Sequence, residues 1–173
     1  MSVCFQCSNP VSLKRSKKKQ EFMSDFLLPL TVSLDRVEAV IIGGGNVAER
    51  KAGKLLEAKA VVTVVAPELS RELERLWKEN RITWKEKTGG PEDLRTAWLI
   101  VSASGDKAAQ QMIAEHKHPW QLVNGADNPS IGNVAFPASF MEDGVQISVS
   151  SGSNKPASVK EWKHYLQRVI KKR

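Results

Sequence analysis

The 173-residue chain is long enough to bury a substantial core as one domain with an appendage, and its 41% hydrophobic and 26% charged residues are ordinary for a globular protein. No apolar run approaches the roughly 20 residues that span a bilayer, and the amino terminus lacks the apolar segment of a secretory signal, so a cytoplasmic protein without a membrane partner is expected. The net charge of +7 is terminal: residues 1–24 carry five basic side chains against Glu21, residues 160–173 carry six against Glu161, and residues 25–159 hold 15 basic and 17 acidic residues, which argues against a nucleic-acid-binding body.

Residues 1–24 are polar, lysine-rich and aperiodic, and read as a disordered basic extension, with Met23 as an alternative natural start. Both cysteines lie there, in Cys4-Phe5-Gln6-Cys7. A zinc site needs four ligands and a redox pair usually opens a helix in a βαβ unit; neither context is present, so the thiols are read as a tail feature.

From Val37 the chain alternates. Val37 to Ile42 reads as a buried strand ended by glycine, and Asn46 to Ala58 as a helix with Val47, Ala48, Ala52, Leu55 and Leu56 on one face. Val61 to Ala66 is a second strand stopped by Pro67, and Glu68 to Asn80 suits a helix. Ile82 to Glu86 is a shorter, more polar strand, and Gly89-Gly90-Pro91 marks a turn. Ala97 to Ala103 is a buried strand, Lys107 to His116 a helix and Gln121 to Asn124 a further strand. Strands alternating with helices predict a Rossmann-like, doubly wound parallel sheet over residues 25–132.

The ending, residues 133–173, differs. Asn133 to Phe140 and Val145 to Ser150 are consecutive strand-like runs around Glu142-Asp143-Gly144, a β-hairpin instead of a crossover. Pro156 to Lys172 then predicts an amphipathic helix with Val159, Trp162, Leu166, Val169 and Ile170 along one stripe. That stripe requires a partner, from this chain or from a second subunit.

The motif Gly43-x-Gly45-x-x-Ala48 closes the first strand and opens the first helix, where a dinucleotide fingerprint belongs. Gly43 permits the tight turn, Gly45 lets the backbone approach a pyrophosphate, and Ala48 lets helix and strand pack closely. The helix amino terminus adds free N–H groups and a partial positive charge. Glu68 follows the second strand, where a carboxylate binds ribose hydroxyls and repels a 2′-phosphate; this favours NAD over NADP, with Arg71 nearby as a counter-signal and a dipole-favoured carboxylate at a helix amino terminus as the alternative reading of Glu68. Asp127 lies in Gly125-Ala126-Asp127-Asn128-Pro129, beyond the carboxyl end of a strand, on the side where open α/β sheets bind ligands. Turn chemistry is the alternative reading of that aspartate. His116 and His118, two residues apart, do not share a helix face, and no metal site is predicted.

Gly43-Gly44-Gly45-Asn46-Val47-Ala48-Glu49-Arg50-Lys51-Ala52 followed by Val62-Thr63-Val64-Val65-Ala66-Pro67 resembles the precorrin-2 dehydrogenase family, which includes the amino-terminal domain of siroheme synthases. Further matches follow in order: Val101-Ser102-Ala103-Ser104, Leu122-Val123-Asn124, Asp127, Phe136-Pro137-Ala138 and Val149-Ser150-Ser151-Gly152. The similarity covers roughly residues 25–162. The resemblance implies oxidation of precorrin-2 to sirohydrochlorin with NAD, a homodimer formed through the elements after the nucleotide domain, and, in some members, insertion of ferrous iron. It assigns NAD contacts to Asn46, Val47, Pro67, Glu68, Ala103 and Ser104, the catalytic aspartate to Asp127, and the tetrapyrrole pocket to Asn124 and Ser151. The family usually has glycine at the position of Lys59, and glycine-x-serine-proline where this chain has Ser153-Asn154-Lys155-Pro156. Lys155 is thereby a candidate partner for a substrate carboxylate. A family member that binds NAD or a tetrapyrrole as a non-catalytic sensor or carrier is the alternative.

Overall fold

The computed structural model describes residues 28–151 and 156–171; the basic extension with Cys4, Cys7 and Met23, and also Lys155, lie outside the described residues. β-Branched runs form β1 (Glu38–Ile42) and β2 (Val61–Ala66), followed in the same sheet by β3 (Thr83–Glu86), β4 (Leu99–Ser102) and β5 (Leu122–Gly125). All four pairings are parallel and the order is β3-β2-β1-β4-β5. The order reverses between β1 and β4, and the carboxyl ends of these strands therefore open a crevice.

Alternation along the strands feeds two cores. Ala39 and Ile41 of β1, with Leu99 and Val101 of β4, face α1 (Asn46–Glu57) and α2 (Arg71–Lys78) through Ala48, Ala52, Leu55, Leu73 and Leu76. Val40, Ile42 and Ile100 face the opposite way, onto Ala109 and Ile113 of α3 (Lys107–His116). Period-2 strands buried on both faces produce the continuous apolar runs seen in the sequence.

Two boundaries differ from expectation by three residues or more. The helix expected from Glu68 begins at Arg71, because the Ser70 hydroxyl accepts from the Leu73 amide as its cap and leaves Pro67–Leu69 as turn. The strand expected from Asn133 begins at Ala138. Residues 133–137 are instead fastened to β5 and α1 in another way. The Asn133 and Val134 amides donate to the Val123 carbonyl, the Asn133 side-chain oxygen accepts from the Val123 amide at 2.7 Å, and Lys54 Nζ donates to the Pro137 carbonyl at 2.9 Å. Pro137 has no amide to continue a ladder.

β6 (Ala138–Glu142) and β7 (Val145–Val149) form the expected antiparallel hairpin, on which α4 (Pro156–Ile170) packs. The stripe on α4 is only partly covered: Trp162 and Val169 remain exposed, as does Tyr165, which meets Trp162 edge to face. Among the described residues no helix is long and apolar enough to cross a membrane.

Candidate dinucleotide and tetrapyrrole site

The three successive glycines after β1 have three different reasons. Gly43 has φ of +126°, and a side chain there would lie 2.5 Å from the Ala103 carbonyl group. At Gly44 an added Cβ would lie 1.9 Å from the Glu68 carbonyl oxygen, while the Gly44 carbonyl accepts from the Ser70 amide at 2.7 Å. Gly45 is constrained by nothing in the protein: its Cβ would meet no atom within 4 Å. A glycine with free space around it, at the head of a helix, is what close approach by a ligand requires.

The helix termini reinforce this. Ser70 caps α2, and the Asp106 carboxylate caps α3 by accepting from the Ala108 and Ala109 amides. Gly45, the residue before α1, supplies no side-chain cap. The first amides of α1 have no helical acceptors, so their charge is left for an anion. They open onto a cleft of about 620 Å³ at the β1–β4 reversal, of a size suited to a small-molecule cofactor.

Seven of the predicted cofactor residues line this one cleft: Gly43, Gly45, Asn46, Pro67, Glu68, Ala103 and Ser104. Val47 does not; it packs on the core between α1 and the sheet. Arg71 lines an adjoining groove with Glu72 and Arg75, which shares Asn46 and Ser70 with the cleft, and it is not among the cleft's own lining residues. Thr88 and Gly89 also line the cleft, and sequence reasoning missed them. They lie two and three residues past the end of β3, and the rule that ligands gather at carboxyl strand ends would have nominated them.

Asp127 lies two residues past β5 and is fixed by both carboxylate oxygens. The Ser102 hydroxyl donates to Oδ1 at 2.9 Å and the Gly105 amide donates to Oδ2 at 2.8 Å. Ser102 and Gly105 bracket the cleft residues Ala103 and Ser104, so the carboxylate is held at the cleft's edge. Neither anchor was singled out from the sequence, although Ser102 falls within a matched motif. Asn124 is buried; its amide nitrogen donates to the Val134 carbonyl at 2.9 Å, and its Oδ1 has no hydrogen-bond partner among the described residues. Ser151 is half-buried just past β7. Among the described residues no three His, Cys, Asp or Glu side chains cluster as metal ligands.

Beside this edge lies a cationic face. Lys51 Nζ stands 4.4 Å from the centre of the Phe136 ring. Burial, then the charges of Lys54 and Arg50, lowers its pKa to about 8. Lys54 is also lowered, by burial and then by Lys163 of α4, with Glu57 opposing and Arg50 adding to the effect.

Comparison with known proteins agrees with this geometry. A family model described as "Putative NAD(P)-binding" matches residues 30–138. The chain is 33% identical to the precorrin-2 dehydrogenase of Bacillus subtilis (strain 168) over 144 residues, which are 83% of this chain and 89% of the relative. It is equally similar to the siroheme synthase of Actinobacillus pleuropneumoniae serotype 3 (strain JL03), 33% over 144 residues, but spans only 30% of that longer protein. Among solved structures, "SirC, precorrin-2 dehydrogenase" superposes with a TM-score of 0.76 at 30% identity, covering 82% of this chain and 70% of that one. The chain belongs to the precorrin-2 dehydrogenase family.

Proposed function

We propose that this chain oxidises precorrin-2 to sirohydrochlorin with NAD, in keeping with relatives named precorrin-2 dehydrogenase, and that Asp127 is the base. The observation that carries the reading is the uncapped amino terminus of α1 at the strand reversal, with the Asp127 carboxylate fixed at the edge of the same cleft. The residues fit a dinucleotide: Gly45 leaves open space, the α1 amides supply phosphate donors, and Glu68 is exposed on the cleft wall to meet ribose hydroxyls. A carboxylate there disfavours a 2′-phosphate, so NAD is preferred over NADP.

Dehydrogenation removes a hydride and a proton from the substrate. NAD supplies the hydride acceptor. Asp127 takes the proton: its bonds from Ser102 and Gly105 fix the carboxylate in place, so the base is positioned before substrate arrives. Asn124 and Ser151, from the end of β5 and the end of β7, are assigned to the tetrapyrrole side.

The exposed apolar side chains of α4 and the hairpin, Trp162, Tyr165, Val169, Met141 and Val145, support a homodimer formed through this region. Sedimentation of the full chain tests it, with a monomer at micromolar concentration as the contrary result. A cytoplasmic location completes the reading. The activity is tested by anaerobic incubation with precorrin-2 and NAD: sirohydrochlorin absorbance should appear, and NAD binding without it would refute the dehydrogenase.

A further inference from the structure

Val47, Lys51 and Lys54 fall on one face of α1 at i, i+4 and i+7. Phe136, with Ala126 and Val134, packs on the same core as Val47, so this face is turned toward the segment that runs from the Asp127 loop to the hairpin. Lys51 lies over Phe136, Lys54 reaches the Pro137 carbonyl, and α4, packed on the hairpin that follows Pro137, carries Lys163. None of these lysines, nor Arg50, takes part in a salt bridge among the described residues, whereas Lys78, Lys85 and Lys87 all do. None of them lines the dinucleotide cleft.

Packing alone does not explain this arrangement. A methionine or leucine at position 51 would cover Phe136 without the cost of a desolvated charge held near other charges of the same sign. A cation–π contact offsets only part of that cost. A carboxylate bound beside Lys51 and Lys54 would offset that cost by favouring their charged form.

We propose that Lys51 and Lys163, with Lys54 between them, receive carboxylate groups of a polycarboxylate tetrapyrrole and so hold the macrocycle over the Asp127 edge of the cleft. The proposal rests on the precorrin-2 reading for the substrate's identity, but the lysine site can be tested apart from turnover. These lysines are positioning residues: they act on where the substrate lies, not on the reacting atoms.

The test uses the full chain and two probes. Uroporphyrin III, a carboxylate-rich tetrapyrrole, is titrated by quenching of tryptophan fluorescence, and precorrin-2 kinetics are measured with NAD. Lys51→Met and Lys163→Met should each weaken uroporphyrin binding and raise the KM for precorrin-2 by about tenfold, as expected for loss of one charged contact. The kcat and the NAD affinity should stay within about twofold, and Lys51→Arg should restore most of the loss. Uroporphyrin affinity and KM unchanged in the Lys51→Met/Lys163→Met double variant, with its fold intact by circular dichroism, would overturn the site while leaving the dehydrogenase standing. Lysine-dependent uroporphyrin binding by a protein that turns over no precorrin-2 would support the site and sink the activity.

Discussion

The Ser102 hydroxyl donates to the Asp127 carboxylate at 2.9 Å, joining the end of β4 to the loop after β5 at the edge of the dinucleotide cleft. Ser102 is fully buried, so its hydroxyl is available to little besides this carboxylate. If Asp127 is the base, Ser102 positions it. Ser102→Ala should lower kcat for precorrin-2 by about tenfold, the effect of one lost charge-assisted hydrogen bond, with NAD affinity unchanged. Steady-state kinetics beside a NAD titration check this. An equal loss in NAD affinity would mean that Ser102 supports the fold of the cleft and not the base.

The glycines separate binding from folding. Gly45→Val adds a side chain where the protein has nothing within 4 Å, so the chain should fold while NAD affinity falls by at least about a hundredfold. Gly44→Ala places a Cβ 1.9 Å from the Glu68 carbonyl oxygen and should lower stability by several kcal/mol, in the range of overpacked or strained positions. Calorimetric NAD titration and thermal unfolding of both variants distinguish them. NAD affinity retained by Gly45→Val would move the pyrophosphate elsewhere.

Lys59 follows α1 in a left-handed conformation, φ of 62°, with its amide and that of Ala60 closing onto the Leu56 and Leu55 carbonyls. A non-glycine residue there costs about 1 kcal/mol. Lys59→Gly should therefore raise the melting temperature by about 2–4 °C in a chain of this size, without altering turnover. Differential scanning calorimetry reads the change directly.

Lys51 gives a pH-dependent prediction. Its pKa is lowered from 10.5 to about 8, chiefly by burial, so the folded state disfavours its charge. Below about 8 the lysine is protonated in both folded and unfolded chains, and the whole penalty is present; between 8 and 10.5 it fades as the folded form loses its proton first. Lys51→Met should therefore be more stable than the parent at pH 7, with the advantage shrinking by pH 10. Urea unfolding at the two pH values checks it. An advantage that grew with pH would reverse the assignment.

Much of the nucleotide half was legible in the chain itself. The β-branched runs stop at Gly43 and Pro67, and apolar spacing switches from 2 to 3.6 between them, so β1, α1 and β2 lie within a residue of where periodicity puts them. What periodicity could not show was side-chain anchoring. Ser70 shortens α2 by capping it, Asn133 ties its segment to β5 through its amide group instead of a ladder, and Ser102 reaches Asp127 across 25 residues. Each depends on where a polar side chain points, which hydrophobic spacing does not encode. Gly44 was passed over for a related reason: a fingerprint treats it as variable, but here Glu68 comes within contact of it. The cationic face of α1 was invisible because only the fold brings Phe136 and Lys163 to Lys51 and Lys54.

The most direct test of the central claim is single-turnover oxidation of precorrin-2 under anaerobic conditions with saturating NAD, comparing the parent chain with Asp127→Asn. The asparagine keeps the size of the side chain and can still accept from Ser102, but it cannot take a proton. The parent should produce sirohydrochlorin, and Asp127→Asn should be slower by about 10²–10⁴-fold, the usual contribution of a general base, while binding NAD as tightly as the parent. Turnover by Asp127→Asn at the parental rate would contradict the assignment of the base.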